Sequence, residues 1–113
     1  MKAVNLTKKQ MLAENLELAV TVFSRMRGLL GKKAMPYGSG LLIKPCKGVH
    51  TFGMKFPIDV MFLDRDNSVL AIRKELKPNI MTRIFFRAAS VLELPAKTID
   101  STDTSIGDKI GIV

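Results

Sequence analysis

The chain's only cysteine and only histidine, with a methionine after them, stand at Cys46, His50 and Met54, a C-x3-H-x3-M spacing. These are soft or borderline ligands of the kind that suit Cu(I), or zinc with other groups added. Spacing argues against a shared metal. Along a straight strand, four residues separate side chains by about 13 Å. A helix would bring the three together, but Gly48, Gly53 and the nearby Pro45 and Pro57 disfavour one. Only a curled loop would work, so no metal or other cofactor is expected. The same distances weaken a Cys46–His50 nucleophile pair, which needs hydrogen-bond reach of about 3 Å and a third group to orient the imidazole. The bland alternative is Cys46 as a small buried hydrophobe and His50 as a hydrogen-bonding residue at the core's edge.

Asp59 stands out more. It lies in an otherwise apolar run, Ile58 to Leu63, where an unpaired carboxylate would carry a heavy desolvation cost. His50, Thr51, Arg25, Arg27 and backbone amides are its candidate partners. A structural clamp is the first reading, and a general base or ligand anchor the second, since buried carboxylates also serve catalytic sites. No GxxxxGK[ST] or GxGxxG motif opens a helix, so phosphate-loop chemistry finds no support.

The elements that must position these groups follow from patterning. The 113 residues suit one domain, 1–113, with 47% hydrophobic and 25% charged residues. No apolar run approaches the roughly 20 residues of a membrane helix. The start, MKAVNLTKKQML, is a poor secretory signal, and with the lone cysteine it suggests a cytoplasmic protein. Residues 2–6 and 15–20 read as strands, with a turn over Lys8 to Met11. From Thr21 the period becomes helical, with Val22, Met26, Leu29 and Leu30 on one face. Thr21 can cap this helix, Gly31 can end it, and Gly28 suggests a close approach or an irregular last turn. Leu41–Ile43, Ile58–Leu63, Val69–Ile72, Ala89–Leu94 and Lys109–Val113 read as further strands, and Ile80–Phe86 as a weaker one. Ile58–Leu63 should be central and covered on both sides. Ala96–Asp100 suits one helical turn. The expected fold is mainly β, α+β by count of elements: a single compact sandwich or barrel-like domain with one short helix in its N-terminal half.

Net charge is +8 and unevenly spread. No acidic residue lies between Glu17 and Asp59, while Arg25, Arg27, Lys32, Lys33, Lys44, Lys47 and Lys55 all do. Such asymmetry attracts anions or nucleic acid, or simply keeps the protein soluble. Aromatics at 6% and the absence of Trp make a poor stacking surface for single strands, with Phe52 and Phe56 as the only candidates.

Taken together, RMRGLLGKK, GLLI, CKGVHTFGMKFPIDVMFLDRDNSV, ASVLELPAKTID and IGDKIGI resemble the uncharacterised prokaryotic family called domain of unknown function one-nine-two (DUF192). The resemblance runs from about residue 15 to the end. It departs at Asn67-Ser68, where the family more often has a glycine in the hairpin turn, and at Lys97, where a glycine commonly follows LELPA. It implies one mostly β domain and supplies no activity. The family's motif residues correspond here to Arg27, Gly28, Leu29, His50, Thr51, Met54, Asp59 and Glu93. The function expected first is a binding module for a small anion or an acidic partner group. Its pocket would lie near His50, Thr51, Met54 and Asp59, rimmed by Arg25, Arg27 and Lys55. The alternatives are an enzyme using Asp59 and His50 as acid–base groups, and nucleic-acid association through the basic half.

Overall fold

A computed structural model describes residues 1–113, apart from the side chains of Val22, Phe23 and Met26. Ten elements follow one another: β1 (Ala3–Asn5), β2 (Gln10–Ala13), β3 (Asn15–Ala19), α1 (Val22–Arg27), β4 (Ser39–Ile43), β5 (Ile58–Leu63), β6 (Val69–Leu76), β7 (Ser90–Pro95), α2 (Thr98–Ser101) and β8 (Ile110–Ile112). They build a three-stranded sheet in the order β2-β1-β8 and a five-stranded sheet in the order β3-β4-β7-β5-β6. All pairings are antiparallel except β3 with β4. The architecture is the sandwich-like, mainly β fold expected, without barrel closure.

The large sheet is covered on both faces, and strand alternation sorts its side chains between them. Met61 and Leu63 of β5 and Leu92 and Leu94 of β7 join Leu12, Ile99 and Ile110 in a core shared with the small sheet and α2. Val60 and Phe62 of β5 and Val91 of β7 point the other way. There they meet Leu29, Met54, Phe85 and Ala88, contributed by the chain after α1 and by two long loops. All six residues of β5 and all six of β7 are buried. β5 is the central strand its apolar run implied, and β7 is its equal.

Asp59 is fully buried on the sandwich face of β5. The β5–β6 register slips beside it: Ile58 faces Leu76 and Val60 faces Arg73, so two residues of β6 stand opposite Asp59 alone. Such a bulge leaves a backbone amide without a ladder partner. The Glu75 N–H donates to Asp59 Oδ1 at 2.8 Å, and the Ile99 N–H at the start of α2 donates to Oδ2 at 2.8 Å. The aspartate thus ties an edge strand and a helix to the central strand.

Several local expectations need correction. The turn near the N-terminus spans residues 6–9, and Gln10–Ala13 is a strand pairing with β1. α1 stops at Arg27 because Gly28 takes φ 48°, so Gly28 and not Gly31 ends it. Thr21 does cap it, its hydroxyl accepting the Ser24 N–H at 3.0 Å. The face expected from Val22 and Met26 lies outside the described side chains. Ile80–Phe86 is no strand and carries one isolated bridge, Met81 to His50. The expected departures from the family pattern, Asn67 and Lys97, both hold positive φ, 61° and 75°. Glycine adopts that region at no steric cost, so both positions would accommodate one.

Replacing Asp59 by Ala leaves the buried Ile99 amide and the part-buried Glu75 amide unpaired. Unfolding in urea should show a loss of about 3–5 kcal/mol, whereas a loss under about 1 kcal/mol would contradict the clamp.

Candidate functional site

On the loop-covered face of the large sheet, a cavity of about 300 Å³ opens between the end of α1, the segment 43–54 and β7. That volume is at the low end for small-ligand sites. Of its lining residues Arg27 and His50 are exposed and Arg25 half-buried, which sets these three at its mouth, while Leu29, Ile43, Met54 and Glu93 are buried and Leu30 and Val49 half-buried.

The walls are held by paired loops. Thr51 donates its hydroxyl to the Lys77 carbonyl at 2.6 Å and accepts the Ile80 N–H at 2.9 Å. The Thr82 N–H donates to the Val49 carbonyl at 2.9 Å, and the Phe85 N–H to the Lys47 carbonyl at 2.8 Å. Residues 47–51 and 80–85 therefore run side by side, bonded through threonine side chains and scattered amides in place of a regular ladder. Arg25 fastens the other wall, its Nη1 donating to the Pro45 carbonyl at 3.0 Å and its Nε to the Thr21 carbonyl at 3.4 Å. Arg27 is exposed. Neither arginine has an ion-pair partner among the described residues, where the salt bridges are Lys8–Asp108, Lys32–Glu17 and Lys74–Asp100.

Glu93 is the unusual group. It sits in the middle of β7, opposite Leu41 of β4 and Val60 of β5, so its flanking neighbours on that face are aliphatic. It is 4% exposed, and Oε1 is sealed without a hydrogen-bond partner among the described residues. Removal from water disfavours the charged form, and burial pushes the Glu93 carboxyl from 4.5 up to about 7. Beside it the Cys46 thiol is also pushed up by burial, and Sγ donates to the Gly48 carbonyl at 3.0 Å. A thiol in that condition is not an activated nucleophile.

Of the residues expected to form the site, Arg25, Arg27, His50 and Met54 come together around the cavity. Thr51, Lys55 and Asp59 do not line it. Thr51 is sealed and occupied with loop carbonyls, Lys55 is exposed outside the lining, and Asp59 lies on the opposite face of the sheet with both oxygens satisfied. His50 and Asp59 therefore do not converge on an open cavity. The ring of His50 stacks on Phe52 instead, with centroids 5.2 Å apart. Cys46, His50 and Met54 all line the cavity, brought there by a curled loop, but no group of three His, Cys, Asp or Glu is placed to hold a metal among the described residues. The residue missed as a site candidate in its own right is Glu93. The signal that singled out Asp59, one acid inside an apolar strand, is present in SVLELP as well.

Comparison with known proteins places the chain. The family model described as uncharacterised ACR, DUF192, matches residues 3–112. The chain belongs to the DUF192 family. A relative from Thermococcus sibiricus, named only as a UPF0127 protein, is 30% identical over 112 residues, covering 95% of this chain and 71% of the relative. Among solved structures, a protein from Sinorhizobium meliloti described as a candidate transcription regulator superposes with a TM-score of 0.75 at 27% identity. That match covers 85% of this chain and 79% of the other. A protein of unknown function from Novosphingobium aromaticivorans superposes with a TM-score of 0.84 at 18% identity, over 98% and 82% of the two chains, and attests the fold alone. Among the described residues of this DUF192 chain, no helix is long and apolar enough to cross a membrane.

With its carboxyl carried to about 7, Glu93 makes the folded state the tighter proton binder. Stability is then greatest while Glu93 is protonated and falls as pH rises from about 4.5 to about 7. Glu93→Gln removes that loss. Urea melts should show it gaining about 1–3 kcal/mol over the wild type at pH 8 and almost nothing at pH 4, and an equal gain at both pH values would refute a charge penalty.

Proposed function

We propose that this DUF192 protein is a binding module for a small anionic molecule, or for an acidic group presented by a partner. The observation that carries the reading is the cavity itself: a concave, mostly apolar chamber whose mouth holds two arginines without ion-pair partners among the described residues. Pockets of that kind bind by burying an apolar body and fixing it with a few placed polar groups. Arg25 is spent partly on carbonyls, which orients its guanidinium and braces the wall. Arg27 remains exposed and is the residue proposed to meet the ligand's charge, because a guanidinium can grip an oxyanion through two parallel N–H groups.

Two other readings are less well supported. Acid–base catalysis by Asp59 and His50 requires groups that share a cavity, and these two lie apart. Nucleic-acid association finds encouragement in the description of the Sinorhizobium relative. A duplex, however, asks for a basic stripe along an open surface, whereas Arg25 and Arg27 gather at the mouth of a chamber.

Titrating the protein with acetate and with inorganic phosphate at low salt, followed by amide chemical shifts, tests the proposal. Changes should centre on residues 25–30 and 43–54, affinity should fall with added salt, and Arg27→Ala should weaken it about tenfold. Changes confined to other surfaces, or an unaltered affinity in Arg27→Ala, would overturn it.

A further inference from the structure

Glu93 sits oddly in a receptor for anions. A charged carboxylate in that chamber would repel the ligand that Arg27 attracts, and neither aliphatic neighbour, Leu41 nor Val60, offers it a donor. The titratable groups that share its cavity or flank its strand are few. Arg25 and Arg27 come from α1, Arg25 being engaged with carbonyl oxygens. Cys46 and His50 come from the loop, and the thiol proton is committed to the Gly48 carbonyl. On β6, beyond Val60, Arg73 lies over the Phe85 ring at 5.1 Å and donates to the Ile72 carbonyl. None forms a salt bridge with Glu93 among the described residues, and Oε1 is left sealed and unpartnered. A buried polar atom without a partner costs roughly 1–3 kcal/mol, and the cost is least when the carboxyl carries no charge.

Resting on the reading of the cavity as an anion receptor, we infer that the ligand enters with a proton: Glu93, uncharged in the complex, donates a hydrogen bond through Oε2, the oxygen that is not sealed, to an oxygen acceptor at the ligand's buried end. The ligand class follows from the two ends of the chamber. It is a small organic acid whose ionised group faces Arg27, whose body lies against Leu29, Ile43 and Met54, and whose inner end carries a carbonyl or hydroxyl oxygen. A protonated amine fits less well, because it would have to pass the arginines at the mouth and restore the buried charge. Burial already holds the free carboxyl at about 7. An acceptor beside it, and a second negative charge nearby, both favour the protonated form further.

Calorimetry of the wild type with 4-oxopentanoate, in buffers of different ionisation enthalpy, reads the proton directly. Uptake should approach one proton per ligand at pH 8 and fall towards zero at pH 5.5, with affinity dropping up to tenfold per pH unit above about 7. Pentanoate, which lacks the inner oxygen, should bind more weakly with less uptake. Glu93→Gln should bind 4-oxopentanoate with no uptake and a flat pH profile, since its amide donates at every pH. His50→Gln should retain the uptake, which separates Glu93 from the other proton acceptor at the mouth. Binding of both acids without proton uptake, or uptake lost in His50→Gln and kept in Glu93→Gln, overturns this inference and leaves the anion receptor standing. Failure of both acids to bind at every pH overturns the receptor and the inference together. Preferential binding of butylamine, strengthening as pH rises, reverses the assigned charge of Glu93 and overturns the inference too.

Discussion

Burying a carboxylate in a sheet covered on both faces leaves it two ways to persist: it finds donors, or it gives up its charge. This chain contains both outcomes on adjacent central strands. Asp59 on β5 faces the sandwich core, where a bulge in β6 and the start of α2 each present a free amide. Glu93 on β7 faces the opposite side, between Leu41 and Val60, with nothing to bond it. The first is a clamp that joins three elements. The second is an unpaid desolvation cost at the wall of a cavity, which a folding role alone does not explain.

The cavity exists because the loop-covered face is closed by chain that is not sheet. Residues 44–57 and 77–89 cannot form a ladder across Pro45, Pro57 and Pro78. They are bonded to one another through Thr51 and Thr82. Phe85, stacked against Phe62 at 4.3 Å with Arg83 and Arg73 over its ring, anchors one end of this cover to the sheet. Arg25 anchors the other by binding the Pro45 carbonyl. The cavity lies between the end of α1, residues 43–54 and Glu93 of β7, with Arg25 and Arg27 among its lining residues. Rigid supports around a chamber are what a binding site requires, because each wall residue is fixed before a ligand arrives.

The sequence revealed the strands whose pattern is their own. Ile58–Leu63 is apolar apart from Asp59 because both its faces are covered, and its place inside the sheet follows from that. It revealed less where partners decide the conformation. Gln10–Ala13 has a weak strand pattern because Gln10 and Met11 are exposed on an edge, and pairing with β1 makes it a strand. Ile80–Phe86 has strand-like residues, yet its hydrogen bonds go to threonine side chains and to the facing loop. Asp59 in its apolar run reads as a buried carboxylate needing donors, although which amides supply them depends on a register slip that no local pattern encodes. Glu93 carried the same signal and differs only in facing the other side of the sheet. That difference is set by the fold, so separating clamp from cavity group required the structure. The Cys46, His50 and Met54 set shows the reverse: four-residue spacing along a strand would hold its members apart, and a curled loop brings all three to one cavity.

Burial of Glu93 should make the folded, unliganded protein hold that proton at pH values where a free glutamate has already lost it. The most direct measurement is the pH titration of its side-chain carboxyl carbon by ¹³C NMR, assigned by comparison with Glu93→Gln. A midpoint at about 7 is the predicted result. A midpoint near the ordinary value of 4.5 would show that the carboxylate finds donors or water in solution, and would contradict the account.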